Sequence, residues 1–217
     1  MTKTGGSGVN IILFHGDSVT DVGRVKDDSW DYGQGYPHYV MARLSCRRPD
    51  TYRFYNKGVA GYRVTDIYEH MAEDILAVRP STVSLLVGVN DALADAMGLL
   101  GDNAFSVFES TYDKLLSELR AALPELRLIV MEPFITHGET TDEQYDAFYT
   151  EVRRRAAVVR QLADKHGAVF VPLQECFDRA LARADASHWT WDGVHPTESA
   201  GHELITRAWL CAYEKLS

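Results

Sequence analysis

Ile11-Ile12-Leu13-Phe14-His15-Gly16-Asp17-Ser18 passes from branched and aromatic side chains straight into a polar, glycine-containing turn. A short apolar run with no polar alternation reads as a strand buried on both faces, which is the signature of a parallel sheet. Four more runs share its character: Tyr52 to Asn56, Val83 to Val87, Leu128 to Met131 and Ala168 to Val171. Between them, apolar residues recur at three- and four-residue steps, the period of one helix face. The stripes are Val64, Ile67, Met71, Ile75, Val78, then Phe105, Phe108, Tyr112, Leu115 or Leu116, Leu119. Tyr145, Phe148, Val152, Ala156, Val159, Leu162 follow, and Leu204, Ile205, Ala208, Trp209, Ala212 end the series. Pro37 suits the first turn of a further helix running to about Cys46. Strands alternating with helices predict an α/β protein: a three-layer α/β/α arrangement around a five-stranded parallel sheet. No repeat or linker divides the chain, so a single domain is expected over residues 10–217, after a flexible segment 1–9.

The composition agrees. The 217 residues carry 22 Lys and Arg against 31 Asp and Glu, a net charge of −9. An acidic balance argues against a nucleic-acid partner, which needs clustered cations. The one basic cluster, Arg153-Arg154-Arg155, lies within a helical stripe and reads as a solvated face. No run of about 18 apolar residues exists to span a membrane. Met1 to Asn10 lacks the apolar stretch of about 7–15 residues that a secretory signal needs, so a cytoplasmic protein is expected. Cys46, Cys176 and Cys211 form no CxxC pair and read as reduced thiols, with neither zinc site nor disulfide.

In an open α/β sheet, ligands bind beyond the carboxyl ends of the strands. Four polar turns fall there: His15-Gly16-Asp17-Ser18, Asn56-Lys57-Gly58-Val59-Ala60-Gly61, Gly88-Val89-Asn90-Asp91 and Trp191-Asp192-Gly193-Val194-His195-Pro196. A serine hydroxyl needs a base to become a nucleophile, and histidine is the usual one. A carboxylate then fixes the imidazole tautomer, and an oxyanion needs preorganised donors. Ser18, His195 and Asp192 can fill the first three roles. Gly61 offers an unobstructed N–H and Asn90 a side-chain amide. Each residue also has a plainer reading. Ser18, Thr20 or Asp21 could cap a helix, Asn90 could sit in a turn beside a capping Asp91, and Gly61 could serve a positive φ. Gly58 is a rival donor.

These blocks, in this order from Gly16 to Pro196, resemble the SGNH hydrolases, also called GDSL esterases. The resemblance implies a flavodoxin-like sheet, Ser18 as nucleophile, His195 as base and Asp192 as its orienter. It implies an oxyanion hole made by the Ser18 N–H, the Gly61 N–H and the Asn90 side chain, and no cofactor or metal. Ser18-Val19-Thr20-Asp21-Val22-Gly23-Arg24, Gly33-Gln34-Gly35-Tyr36, Asn56-Lys57-Gly58 and Ala200-Gly201-His202 are similar to the acetylxylan-esterase-like branch. That likeness implies a serine esterase deacetylating a carbohydrate, and a homo-oligomer. Asp17, Tyr36 and Trp191 form a candidate substrate wall, with Trp30 and Trp189 as further aromatic candidates. His15 stands where the family favours an apolar residue. His38, His137, His166, His188 and His202 show no partner pattern. A lysophospholipase or thioesterase would use the same triad but want a long apolar trough. Two other readings remain: a metal-dependent phosphoesterase using Asp17, Asp21, Asn90, Asp91, Asp192 and His195, and a non-catalytic sugar-binding module. No HExxH or GxGxxG supports a metal or dinucleotide site.

Overall fold

Five strands, β1 (Asn10–Gly16), β2 (Tyr52–Asn56), β3 (Thr82–Leu86), β4 (Arg127–Met131) and β5 (Val169–Val171), form one parallel sheet in the order β2-β1-β3-β4-β5. The computed structural model describes residues 9–26, 28 and 30–216; the expected N-terminal segment 1–9 lies, apart from Val9, outside the described residues. The helices are α1 (Ser18–Asp21), α2 (Tyr36–Arg47), α3 (Val64–Met71), α4 (Val89–Ala96), α5 (Ala104–Ala122), α6 (Tyr145–Lys165), α7 (Leu173–Leu181), α8 (Ala186–Trp189) and α9 (Ala200–Glu214). All five expected strands are present, and the first runs two residues further, to Gly16. The stripe from Val64 to Val78 is not one uniform helix. After Met71 the pitch widens, and the Ala77 N–H bonds the Ala72 carbonyl five residues back at 3.0 Å.

The strand pleat sorts the core into two layers. Leu13, Val83, Leu85, Leu128 and Val130 face α3, α5 and α6. Ile12, Phe14, Ile129 and Met131 face α2, α7 and α9, where Trp209 is fully buried. Its indole N–H donates to the Ser84 hydroxyl at 2.9 Å, so the polar residue in mid-strand is satisfied. A smaller cluster joins Val89, Ala92 and Leu93 of α4 to Ile135, Phe148, Val152 and Val194. It anchors the loop that carries His195 to the body of the domain.

Within the basic cluster the expected solvated face is corrected at one residue, Arg155. Arg155 is fully buried and bonds Asp95 Oδ2 and Glu151 Oε2, both at 2.6 Å. It ties α6 to α4. Arg153 and Arg154 are exposed as expected: Arg153 reaches the buried Glu132 at 2.6 Å, and Arg154 lies over the Phe105 ring. A guanidinium can be buried where its fork meets carboxylates, and sequence periodicity does not reveal those partners.

A second tie joins α2 to α9. The Tyr36 N–H donates to His202 Nδ1 at 3.2 Å, and the two rings stack. Accepting at Nδ1 fixes the neutral tautomer, with the proton on Nε2. Burial, helped by the nearby His195, pushes the His202 imidazole down to about 4.

Two outcomes follow from these ties. Arg155→Ala should lower stability by about 3 kcal/mol in urea unfolding, and Arg155→Met by less, since both remove the cation but methionine keeps most of the packing volume that alanine leaves empty. An unchanged urea midpoint for Arg155→Ala would remove the ion pair from the list of stabilising contacts. His202 titrates lower folded than unfolded, so its contribution is complete above about pH 6.5 and is lost as pH falls toward about 4. Between pH 7 and 4.5 the wild type should therefore lose roughly 2 kcal/mol more than His202→Asn. Parallel losses in the two proteins would contradict this linkage.

Candidate active site

β1 ends where β3 ends, side by side, and chain leaves the two strands toward opposite flanks of the sheet. Such a switch point opens a crevice at the carboxyl edge. Gly16 makes the junction possible: a Cβ there would lie 2.2 Å from the Leu86 carbonyl oxygen and 2.5 Å from Thr20 Oγ1. Asp17 then caps α1, with Oδ1 accepting the Val19 N–H at 3.0 Å. The cap is thus Asp17, and Ser18 is the first helical residue with its hydroxyl free for another partner. That partner is His195: Ser18 Oγ lies 2.8 Å from Nε2.

The other imidazole nitrogen, Nδ1, lies 2.7 Å from Asp192 Oδ2. Asp192 Oδ1 accepts the N–H groups of Val194 at 2.9 Å and His195 at 2.7 Å. Burial works to raise this carboxyl, but the His195 N–H, the His195 ring and the Val194 N–H outweigh it, leaving Asp192 below the ordinary carboxylate range. The anion fixes the proton on Nδ1, so Nε2 presents a lone pair to the Ser18 hydroxyl. The Trp191 N–H closes the turn on the His195 carbonyl at 3.0 Å. The Trp191 ring stacks on the imidazole with centroids 5.1 Å apart.

The candidate oxyanion donors come from three different turns. Asn90, in the first turn of α4, donates one Nδ2 hydrogen to the Tyr62 carbonyl at 3.0 Å. An amide nitrogen has two hydrogens, so the second remains available. Gly61 has φ +82°, and its absent Cβ would meet nothing within 4 Å. The Gly61 and Ser18 N–H groups have no hydrogen-bond acceptor among the described residues. Gly58 is not a rival, because its N–H is spent on Asn56 Oδ1 at 2.9 Å. Asp91 does not cap α4; it is buried and receives the Val64 N–H at 3.3–3.4 Å, and burial pushes its carboxyl up to about 6. Asp21 likewise faces inward and accepts the Ala60 N–H at 2.9 Å. The turn carrying Gly61 is thereby held from both sides.

A cleft of about 370 Å³ opens over Ser18 and His195, lined by Val22, Gln34, Trp191, Glu198 and His202 among others. Of the expected wall, only Trp191 lies on it, and that residue is 66% exposed. Tyr36 is a correction. It is fully buried, its ring edge meets Phe14 at 5.7 Å, and its hydroxyl pairs with Thr20 Oγ1 at 3.1 Å. Asp17 is a correction too, since the cap to Val19 turns its carboxylate inward. Trp189 is buried, and Trp30 is exposed outside the cleft lining. His15 is a buried neutral imidazole: Nδ1 accepts the Gly16 N–H at 2.9 Å, Nε2 points toward Asp74 at 3.5 Å, and burial lowers its affinity for a second proton.

A fifth turn was not expected, the one after β4. Its Thr136 N–H donates to the Gly193 carbonyl at 2.8 Å and its Thr140 N–H to the Asp192 carbonyl at 2.9 Å. Thr136 Oγ1 pairs with Thr190 Oγ1 at 2.5 Å. The signal was the position itself, a strand end followed by Thr136, Gly138, Thr140 and Thr141.

The chain is similar to known proteins over most of its length. The model of the GDSL-like lipase/acylhydrolase family matches residues 14–204. An acetylxylan esterase from Geobacillus stearothermophilus is 32% identical over 216 residues, covering 94% of each chain. The solved structure of that organism's acetylxylan esterase Axe2 superposes with a TM-score of 0.81 at 31% identity, over 94% of this chain and 93% of the other. A structure from Parabacteroides merdae described as a GDSL-like lipase reaches 0.88 at 29% identity, over 96% of both chains. By fold and by sequence over nearly its whole length, the chain belongs to the GDSL-like lipase/acylhydrolase family and is a carboxylic-ester hydrolase.

Proposed function

We propose that the protein removes short acyl groups, acetyl above all, from carbohydrate esters through a Ser18–His195–Asp192 triad and a covalent acyl-enzyme. The observation that carries this reading is the unbroken chain of contacts Ser18 Oγ to His195 Nε2 at 2.8 Å and His195 Nδ1 to Asp192 Oδ2 at 2.7 Å. Ser18 Oγ attacks the ester carbonyl carbon as its proton passes to Nε2. Asp192 stabilises the resulting imidazolium. The Ser18 and Gly61 N–H groups and the free Asn90 hydrogen receive the oxyanion. As the carbon–oxygen bond to the alcohol breaks, His195 returns the proton to the leaving oxygen. Water then repeats the sequence against the acyl-enzyme and releases the acid.

The carbohydrate assignment rests on the cleft. Trp191 offers an exposed aromatic face beside the imidazole, while Gln34 and Glu198 supply polar groups to the rim. A sugar ring wants such a platform with hydrogen-bonding edges. A long acyl chain wants a continuous apolar trough instead. The similar acetylxylan esterase has been solved in forms described as catalytic mutants, one with a serine and one with an aspartate replaced by alanine. Residues of both types stand here at Ser18 and Asp192. The phosphoesterase reading has less support: among the described residues no three His, Cys, Asp or Glu side chains group to hold a metal ion.

Hydrolysis of p-nitrophenyl acetate, butyrate and octanoate tests the reading. Acetate should be the fastest. Ser18→Ala should lose about 10⁴-fold or more in kcat with an unchanged circular dichroism spectrum, and Asn90→Ala about 10²–10³-fold. Activity of Ser18→Ala near wild type would sink the triad, and a preference for octanoate would move the substrate to lipids. Trp191→Ala should lower kcat/KM about fivefold on an acetylated xylo-oligosaccharide and much less on p-nitrophenyl acetate, as the loss of one stacked ring is worth about 1 kcal/mol. Equal losses on both substrates would make Trp191 a support for the imidazole rather than a sugar platform.

A further inference from the structure

Asp192 is gripped from a part of the chain that no motif marks. Besides His195 Nδ1, its Oδ2 receives the hydroxyl of Thr140 at 3.2 Å. The same residue donates its N–H to the Asp192 carbonyl at 2.9 Å. Thr140 thus holds Asp192 by main chain and side chain together. The turn that carries it is packed tightly on the aspartate: a Cβ at Gly138 would lie 2.3 Å from the Asp192 carbonyl carbon. Thr141 locks the turn from below, its hydroxyl bonding the Thr136 carbonyl at 2.7 Å. Thr140 itself is exposed whereas Asp192 is buried. Its hydroxyl therefore occupies an acceptor position that water would otherwise reach.

We infer that Thr140 is a positioning residue for ester hydrolysis, setting the orientation in which Asp192 meets His195. With two backbone N–H groups on Oδ1 and two side-chain donors on Oδ2, the carboxylate has a partner in each of its principal acceptor directions. Removing the Thr140 hydroxyl frees the carboxylate to swing about its terminal torsion, which is intrinsically broad. The imidazole then spends less time with Nε2 aligned on Ser18. Replacement by valine is the severe case, because a methyl group fills the hydroxyl's place and bars water from Oδ2. Alanine admits water, which restores part of the hydrogen bond.

This inference rests on the triad reading, and the experiment separates the two. Steady-state kinetics on p-nitrophenyl acetate are measured for Thr140→Ser, Thr140→Ala and Thr140→Val, and for Thr140→Val combined with Asp192→Asn. Serine should match wild type, alanine should fall between, and valine should lose about tenfold in kcat with KM unchanged, the rate equivalent of one hydrogen bond to a charged group. In the Asp192→Asn background the valine change should cost nothing more, since it acts through the carboxylate. A purely structural role would instead lower both backgrounds alike and make alanine no better than valine; either result overturns the inference. Wild-type kcat in Thr140→Val beside an inactive Ser18→Ala also overturns it and leaves the triad standing. An active Ser18→Ala brings down the triad and this inference with it. If the valine variant does not fold, alanine below serine supports the inference and alanine equal to wild type refutes it.

Discussion

The close approach of β1 to β3 is the constraint on which the rest of the site depends. These two strands are neighbours in the sheet but not in the chain. Their carboxyl ends must meet without interference, and Gly16 provides the gap, since any side chain there would strike the Leu86 carbonyl. Once the ends are flush, Ser18 at the start of α1 and Asn90 at the start of α4 lie at the same edge of the sheet. The turn after β2 enters from the side and is hydrogen-bonded to both neighbours, by Asp21 to Ala60 and by Asn90 to Tyr62. The candidate site is a consequence of strand order, with its groups drawn from several turns at one edge of the sheet.

Three aspartates around this crevice show how donor supply sets charge. All are buried, and burial alone raises a carboxyl. Asp192 receives two backbone N–H groups and the His195 ring, and stays below its ordinary range. Asp91 has only long bonds from the Val64 N–H, and rises to about 6. Asp17 is raised to about 7, because burial and the neighbouring Asp91 outweigh its one Val19 cap. The short, convergent donors thus fall on the one carboxylate that the proposed triad needs as an anion beside His195. The other two serve the backbone and tolerate a proton.

Much of this was legible in the residues. The five apolar runs and the helical stripes specify a parallel sheet because each records burial directly, one face or two. The candidates for the proposed triad and oxyanion hole could be named because Ser18, Gly61 and Asn90 follow β1, β2 and β3, while Asp192 and His195 share one polar turn. What escaped was information held in pairs of distant residues. Arg155 looks like a surface cation until Asp95, 60 positions away, supplies its partner. Tyr36 looks like a wall residue because it follows a glycine-rich loop, yet the hydroxyl of Thr20 lets the core accept a phenol. The turn after β4 carries no reactive group of its own, so chemistry-led reading passes over it. Among the described residues no helix is long and apolar enough to cross a membrane.

The division between rigid support and exposed chemistry is sharpest at the His195 loop. Its inner side is fixed: Val194 packs on Val89 and Ile135, and Asp192 is buried under the turn after β4. Its outer side is open: Trp191 stands in solvent with its ring on the imidazole. On the proposed reading, the imidazole must be held to a fraction of an ångström, whereas a substrate platform gains from access. The six-residue loop divides accordingly, with Trp191 exposed, Asp192 to Val194 buried and His195 half-buried between them. Substrate variety within such a scaffold then falls to the outer face, where Gln34, Trp191 and Glu198 lie, since a change there leaves the inner hydrogen bonds of Asp192 untouched.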